Sequence, residues 1–212
     1  MKYNSYAGKF IVFEGLDGSG QSTQAKLLND FLVKKNFKVV LTKEPTKNSQ
    51  AGKKIRDILD KKAKVTPTQL QKLFARDRKE HLEKVIIPAL KKGKIVISDR
   101  YFFSSFAYGS SSGLDLDWLI KLNDSFLLPD LTFILKVKPT ICIERIEKRN
   151  KETHKKRTLF EEKEKLEKVW QNYQILPNRF ENVYMIDGEK KIEEVSSRIR
   201  KIVLSNTIKK GG

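Results

Sequence analysis

The residues best suited to chemistry stand near the N-terminus, where Gly15, Leu16, Asp17, Gly18, Ser19, Gly20, Gln21, Ser22 and Thr23 form the run GLDGSGQST. Its spacing matches G-x-x-x-x-G-K-[ST], a loop whose glycines turn backbone N–H groups toward phosphate oxygens, at every position but one. Gln21 stands where that loop carries lysine. The positive charge on the β- and γ-phosphates of a nucleotide must then come from elsewhere, or the site is inert. Ser22 keeps the hydroxyl that such loops place on Mg²⁺. Farther along, Asp99 and Arg100 are adjacent. They pair a carboxylate able to hold metal-bound water with a planar guanidinium able to bridge two phosphoryl groups, or else form a structural ion pair. Phe74 and Arg78 are four apart, which on a helix sets an aromatic plate and a guanidinium on one face. That pair can stack a base and bond its edge, although periodicity alone favours packing of Phe74 with Leu70 and Leu73. Asp77 and His81 repeat the spacing and are expected to form a structural hydrogen bond with each other. In the segment 147–157, Lys148, Arg149, Lys151, Lys155, Lys156 and Arg157 face only Glu147 and Glu152. On composition alone this is a solvated loop or a polyanion patch.

These groups need rigid elements to hold them. Short apolar runs at 10–13, 38–42, 94–99, 131–137 and 183–186 read as strands buried on both faces of a parallel sheet. Helical spacing follows the glycine loop at Ala25, Leu28 and Leu32, and recurs over 68–92, 139–149, 160–175 and 191–205. Strands alternating with helices imply a three-layer α/β sandwich. The glycine loop then leaves a strand and opens a helix, the context a phosphate loop requires, and Asp99 and Arg100 fall at a strand's C-terminal end, where open sheets bind ligands.

The 212 residues are expected to form one domain, since no Pro/Gly/Ser-rich linker divides them. The single cysteine, Cys142, excludes an intrachain disulfide and suits apolar packing. No stretch approaches the roughly 18 consecutive apolar residues of a membrane span, so a soluble cytoplasmic protein is expected. A net charge of +18 suits any polyanion, from nucleotide to nucleic acid, without choosing between them.

Taken in order, these stretches resemble the thymidylate kinase family of P-loop nucleoside monophosphate kinases. FEGLDGSGQST (13–23) is similar to the family's FEG-x-DG-x-GKST, and KEPT (43–46), LFARDRKEH (73–81) and DRYFFSSFAY (99–108) follow in family order. The likeness continues through PDLTFILKV (129–137), the basic segment 145–157 and MIDGEKKIEEV (185–195). The resemblance implies a P-loop NTPase fold with a five-stranded parallel sheet in a single domain, 1–212, carrying a lid at about 147–158. It implies phosphoryl transfer from Mg-ATP to dTMP, giving dTDP and ADP, by a homodimer, with nucleic acid not expected as a partner. Residues Gly15 to Thr23 would bind ATP, and Ser22 and Asp99 the metal. Asp17, Arg100, Arg149 and Arg157 would act in catalysis, with the lid arginines supplying the charge Gln21 lacks. Arg56, Phe74, Arg78, Arg100, Ser105 and Tyr108 would hold the acceptor. The chain departs from the pattern at Gln21, at Lys43 where arginine is usual, at Gly109 where glutamine is common, and at Gly18 where some members carry a catalytic arginine. These departures keep two alternatives open: a broader deoxynucleoside monophosphate kinase, and a catalytically weak nucleotide- or nucleic-acid-binding protein.

Overall fold

The computed structural model describes residues 1–153 and 158–208. Strands β1 (Lys9–Gly15), β2 (Val39–Lys43), β3 (Ile95–Asp99), β4 (Leu131–Lys136) and β5 (Val183–Asp187) form, among the described residues, one parallel sheet in the order β2-β3-β1-β4-β5. The central strands β1, β3 and β4 are buried almost throughout, which is why they read as continuous rather than alternating apolar runs.

Helices α1 (Gln21–Lys34) and α9 (Ile192–Ile208) cover one face, where Leu28, Leu32, Ile199 and Val203 pack on Ile11, Phe13 and Phe133. The other face carries α3 (Pro67–His81), α4 (Ile87–Lys91), α5 (Phe102–Ser111) and α8 (Lys163–Ile175) on a core that includes Phe10, Val12, Phe102, Phe103, Phe106 and Ile134. Helices α6 (Leu116–Leu122) and α7 (Pro139–Thr153) join this second core through Leu119, Cys142 and Ile146, and α2 (Gln50–Leu59) packs Ile55 and Ile58 against Leu70 of α3. This is the three-layer α/β arrangement expected from the alternation of elements.

Two helical readings change. The single helix expected over 68–92 starts at Pro67, behind a Thr66–Gln69 capping box, and is interrupted by a π turn at Leu82–Ile86 before α4. Pro88 has no N–H to bond backward, so a continuous α ladder fails just there. Helix α5 was invisible to periodicity because Phe102, Phe103, Ser105, Phe106, Ala107, Tyr108 and Gly109 are all buried, leaving no polar stripe to mark a surface. Among the described residues, no helix is long and apolar enough to cross a membrane.

Register sets the working edge. Lys43 pairs with Asp99 across β2 and β3, and Phe13 pairs with Asp99 across β1 and β3. The C-terminal ends of three strands therefore line one rim, where the glycine loop emerges from β1.

Candidate active site

The glycine loop is built as its sequence requires. Among the described residues no side chain caps α1, whose N-cap is Gly20, which leaves the N–H groups of its first turn available to an anion. Gly18 has φ +83°, and a Cβ there would stand 2.5 Å from the carbonyl oxygen of Cys142. A side chain at this position, arginine included, would force the loop away from α7. Gln21 is buried, its Oε1 has no partner among the described residues, and it lines none of the three main cavities.

Beside the loop, Ser22 Oγ donates to Asp99 Oδ2. Lys43 Nζ donates to the same oxygen at 2.6 Å and lies 3.2 Å from Ser22 Oγ, its side chain 54 % exposed. Asp99 Oδ1 is buried without a partner among the described residues. A hydroxyl, a carboxylate and one unsatisfied carboxylate oxygen form the hard-oxygen set that suits Mg²⁺, which takes few protein ligands and completes its shell with water and phosphate.

Arg100 bridges the loop and a second cavity. It adopts a left-handed backbone, φ +74°, and the Ser98 hydroxyl holds its carbonyl at 2.7 Å. This turn aims the guanidinium back over the loop, where it donates to Gly15 O at 3.0 Å, Asp17 Oδ1 at 2.8 Å and Ser104 Oγ at 2.8 Å. Tyr108 lies under it, ring centroid 5.3 Å away, and donates its hydroxyl to Asp17 Oδ2 at 3.0 Å. Burial pushes the Tyr108 hydroxyl far above its usual pKa, so it stays a donor. Glu14 sits beneath this group, fully buried, and accepts from Tyr101 N, Ser104 N, Ser104 Oγ and Tyr173 Oη. Burial raises Glu14 from 4.5 to about 7, against the lowering influence of Arg100 and these donors.

The second cavity, about 190 Å³, is lined by Asp17, Gln71, Phe74, Arg78, Arg100, Ser105, Tyr108 and Phe160 among others. Arg78 is one of its fixed points: 1 % exposed, it donates to Glu44 at 2.9 Å, Asn123 at 2.6 Å and Ser105 at 3.3 Å, and packs over the Tyr101 ring. A third space, about 200 Å³, opens on the far side of the loop between Ser19, Gly20, Thr23, Leu135, Arg145, Ile192 and Val195.

A family model described as thymidylate kinase matches residues 13–199. A probable thymidylate kinase of Pyrococcus horikoshii is 41 % identical over 201 residues, covering 92 % of this chain and 96 % of the relative. One of Thermococcus kodakarensis is 42 % identical over 200 residues (90 % and 94 %), and a thymidylate kinase of Caldicellulosiruptor saccharolyticus is 37 % identical over 201 (92 % and 96 %). The chain belongs to the thymidylate kinase family.

Within that family frame, the expected site residues separate into groups. The loop, Asp17, Arg100, Phe74, Arg78, Ser105 and Tyr108 come together around one cleft. Arg56 does not reach this cavity; it donates to Thr46 O and Lys47 O, both at 2.6 Å, and so ties down the chain after β2. Arg149 donates to Glu161 at 2.6 Å and lines a large open groove of about 1210 Å³ with Arg56 and Lys43, a groove whose lining includes no residue of the glycine loop. Arg157 lies outside the described residues, as do 154–156 of the expected lid. The expected Asp77–His81 bond is corrected: Asp77 accepts from Thr46 N, Thr46 Oγ1 and Ser49 Oγ, while His81 meets Thr42 and Glu44. Both residues face the chain leaving β2, which offers each a closer partner than the next helical turn does. Cys142 is fully buried, and burial pushes its thiol up to about 12.

Sequence reasoning missed Glu14, Lys43 and Arg145 as site residues. Arg145 Nη1 lies 3.4 Å from the carbonyl oxygens of both Gly18 and Ser19, in direct reach of the loop. Its signal was position, two turns into the helix that starts at Pro139.

Proposed function

We propose that the chain transfers the γ-phosphoryl group of ATP to dTMP, giving dTDP and ADP, with Mg²⁺ held by Ser22 and Asp99. The observation that carries this reading is the placement of Arg100, whose one guanidinium bonds the glycine loop at Gly15 and Asp17 and also lines the cavity of Phe74 and Arg78. A fork between a donor-phosphate loop and an acceptor pocket is what phosphoryl transfer requires, because the protein supplies alignment and positive charge rather than a covalent step.

The donor's phosphates rest on the loop N–H groups and the start of α1, and its base enters the space between Arg145 and the apolar side chains Leu135, Ile192 and Val195. Bound at Ser22 and Asp99, Mg²⁺ would withdraw charge from the donor's phosphate oxygens. The acceptor's base stacks on Phe74 beside Arg78, its sugar meets Tyr108, and its phosphate meets Arg100. Arg78 presents only N–H donors, which favours a base edge with a carbonyl. Lys43 supplies the charge absent at Gln21. It is the ammonium already at the Ser22–Asp99 corner, and its exposed four-carbon stem can swing to a phosphate. Arg149 and Arg157 join from the lid once it folds over the donor. Family membership further supports a homodimer.

The test is ADP release with Mg-ATP and dTMP, dUMP, dCMP, dGMP or AMP in turn. Highest kcat/KM with dTMP is expected. Turnover with none of them overturns the reading, and equal turnover with purine acceptors replaces it with the broader kinase.

A further inference from the structure

We propose that Gln71 reads the base of the acceptor, taking the N3–H of a thymine or uracil ring on its side-chain carbonyl. The inference rests on the reading that the Phe74 cavity takes the acceptor's base. Gln71, Phe74 and Arg78 stand at i, i+3 and i+7 of α3, so one helix face presents a carboxamide, an aromatic plate and a guanidinium in succession. All three line the cavity. Gln71 is 3 % exposed, yet its Oε1 has no hydrogen-bond partner among the described residues. A buried acceptor left unmade costs about 1–3 kcal/mol, and no fold contact among the described residues recovers it. A ligand bringing an N–H into this cavity recovers it, after a small rotation of the terminal amide.

The neighbouring helix makes room for this amide. A Cβ at Gly109 would stand 2.8 Å from the Leu119 methyls and in contact with Gln71 Cδ at 3.4 Å, so the glycine lets α5 lie close against the carboxamide. With Arg78 held on the same cavity wall as a pure donor, the cavity offers one acceptor and one donor. That pattern complements the N3–H and C4 carbonyl of thymine and opposes the N3 and amino group of cytosine.

The experiment measures binding of dTMP, dCMP and N3-methyl-dTMP to the full chain, calorimetrically, with Gln71→Leu and Gln71→Ala as variants. Wild type is expected to favour dTMP over N3-methyl-dTMP, and both variants to bind dTMP about tenfold more weakly and to lose most of that preference, consistent with one buried hydrogen bond. ATP affinity should stay within about twofold, and Gln71→Leu should melt no lower than wild type, because it removes an unsatisfied buried group. An unchanged ratio of dTMP to N3-methyl-dTMP in both variants overturns the proposal. So does a lower melting temperature for Gln71→Leu with ATP affinity falling in parallel, which would mark a structural role. Failure of wild type to bind any pyrimidine monophosphate would instead overturn the reading of the cavity.

Discussion

The two sides of the cleft are built differently. On the proposed acceptor side the cation Arg78 is buried and holds Glu44, Asn123 and Ser105 at once. On the proposed donor side the cations beside the loop, Lys43 and Arg145, make exposed or long contacts. A buried, satisfied network fixes geometry before the ligand arrives, which suits discrimination between bases. Exposed long side chains keep their freedom until a polyphosphate draws them in, which suits a donor whose charge must be gathered and then released. Arg100 joins the halves, since it bonds the loop at Gly15 and Asp17 while lining the second cavity, with Tyr108 packed beneath it and bonded to Asp17 as well.

The sharpest way to break this contrast is to remove an arginine from each place. Arg100→Ala should lower kcat by about 10³-fold or more, the scale of a phosphate-bridging arginine. Arg78→Ala should instead cost about 3–5 kcal/mol of folding stability, because Glu44 would be left buried without its main counter-charge. Steady-state kinetics and denaturant unfolding on both variants decide the matter. If Arg78→Ala unfolded as readily as wild type, the acceptor side would not be the rigid half.

Glu14 tests whether the junction between the halves is part of the rigid side. An unfolded chain releases the Glu14 proton near 4.5, whereas the folded protein holds it to about 7. The folded state therefore binds the extra proton between these values, and its stability falls as pH rises through that window, by about 3 kcal/mol in all, with no further loss above it. Glu14→Gln should remove this slope. Unfolding free energies at pH 5 and pH 8, compared between wild type and Glu14→Gln, check it; parallel pH profiles would show that the junction does not hold its proton in this way.

The shared cavity of Phe74 and Arg78 and the glycine loop were legible in the sequence, and the cations beside the loop much less so. Phe74 and Arg78 could be placed together because a helix fixes the spacing of near neighbours, and the glycine loop could be placed because strand, loop and helix are contiguous. Lys43 at Asp99 depends on the register of β2 against β3, which joins residues far apart in sequence and leaves no local pattern. Glu14 was hidden for the same reason: its partners come from α5 and from Tyr173 on α8. Gln71 carries no sequence signal of its role, because a polar residue on a helix cannot be told from a solvated one until its cavity is seen. The Asp77–His81 pairing failed where a loop from β2 competed with the helical turn.

The smallest expected effects decide where the charge missing from the glycine loop has gone. Lys43→Met should reduce kcat with dTMP by about thirtyfold, or ~2 kcal/mol, between a screened surface charge and a dedicated donor to developing charge. Gln21→Ala should reduce it only a few-fold, since Gln21 is buried and lines none of the cavities. Binding of ATP in EDTA separates a phosphate contact from support of the metal corner. Lys43→Met should weaken metal-free ATP binding, because an ammonium that meets phosphate does so without Mg²⁺, whereas one that only braces Asp99 would leave that affinity unchanged. If Gln21→Ala proved the more damaging of the two, the charge would not reside on β2, and the mobile donor side would have to draw it from the lid alone.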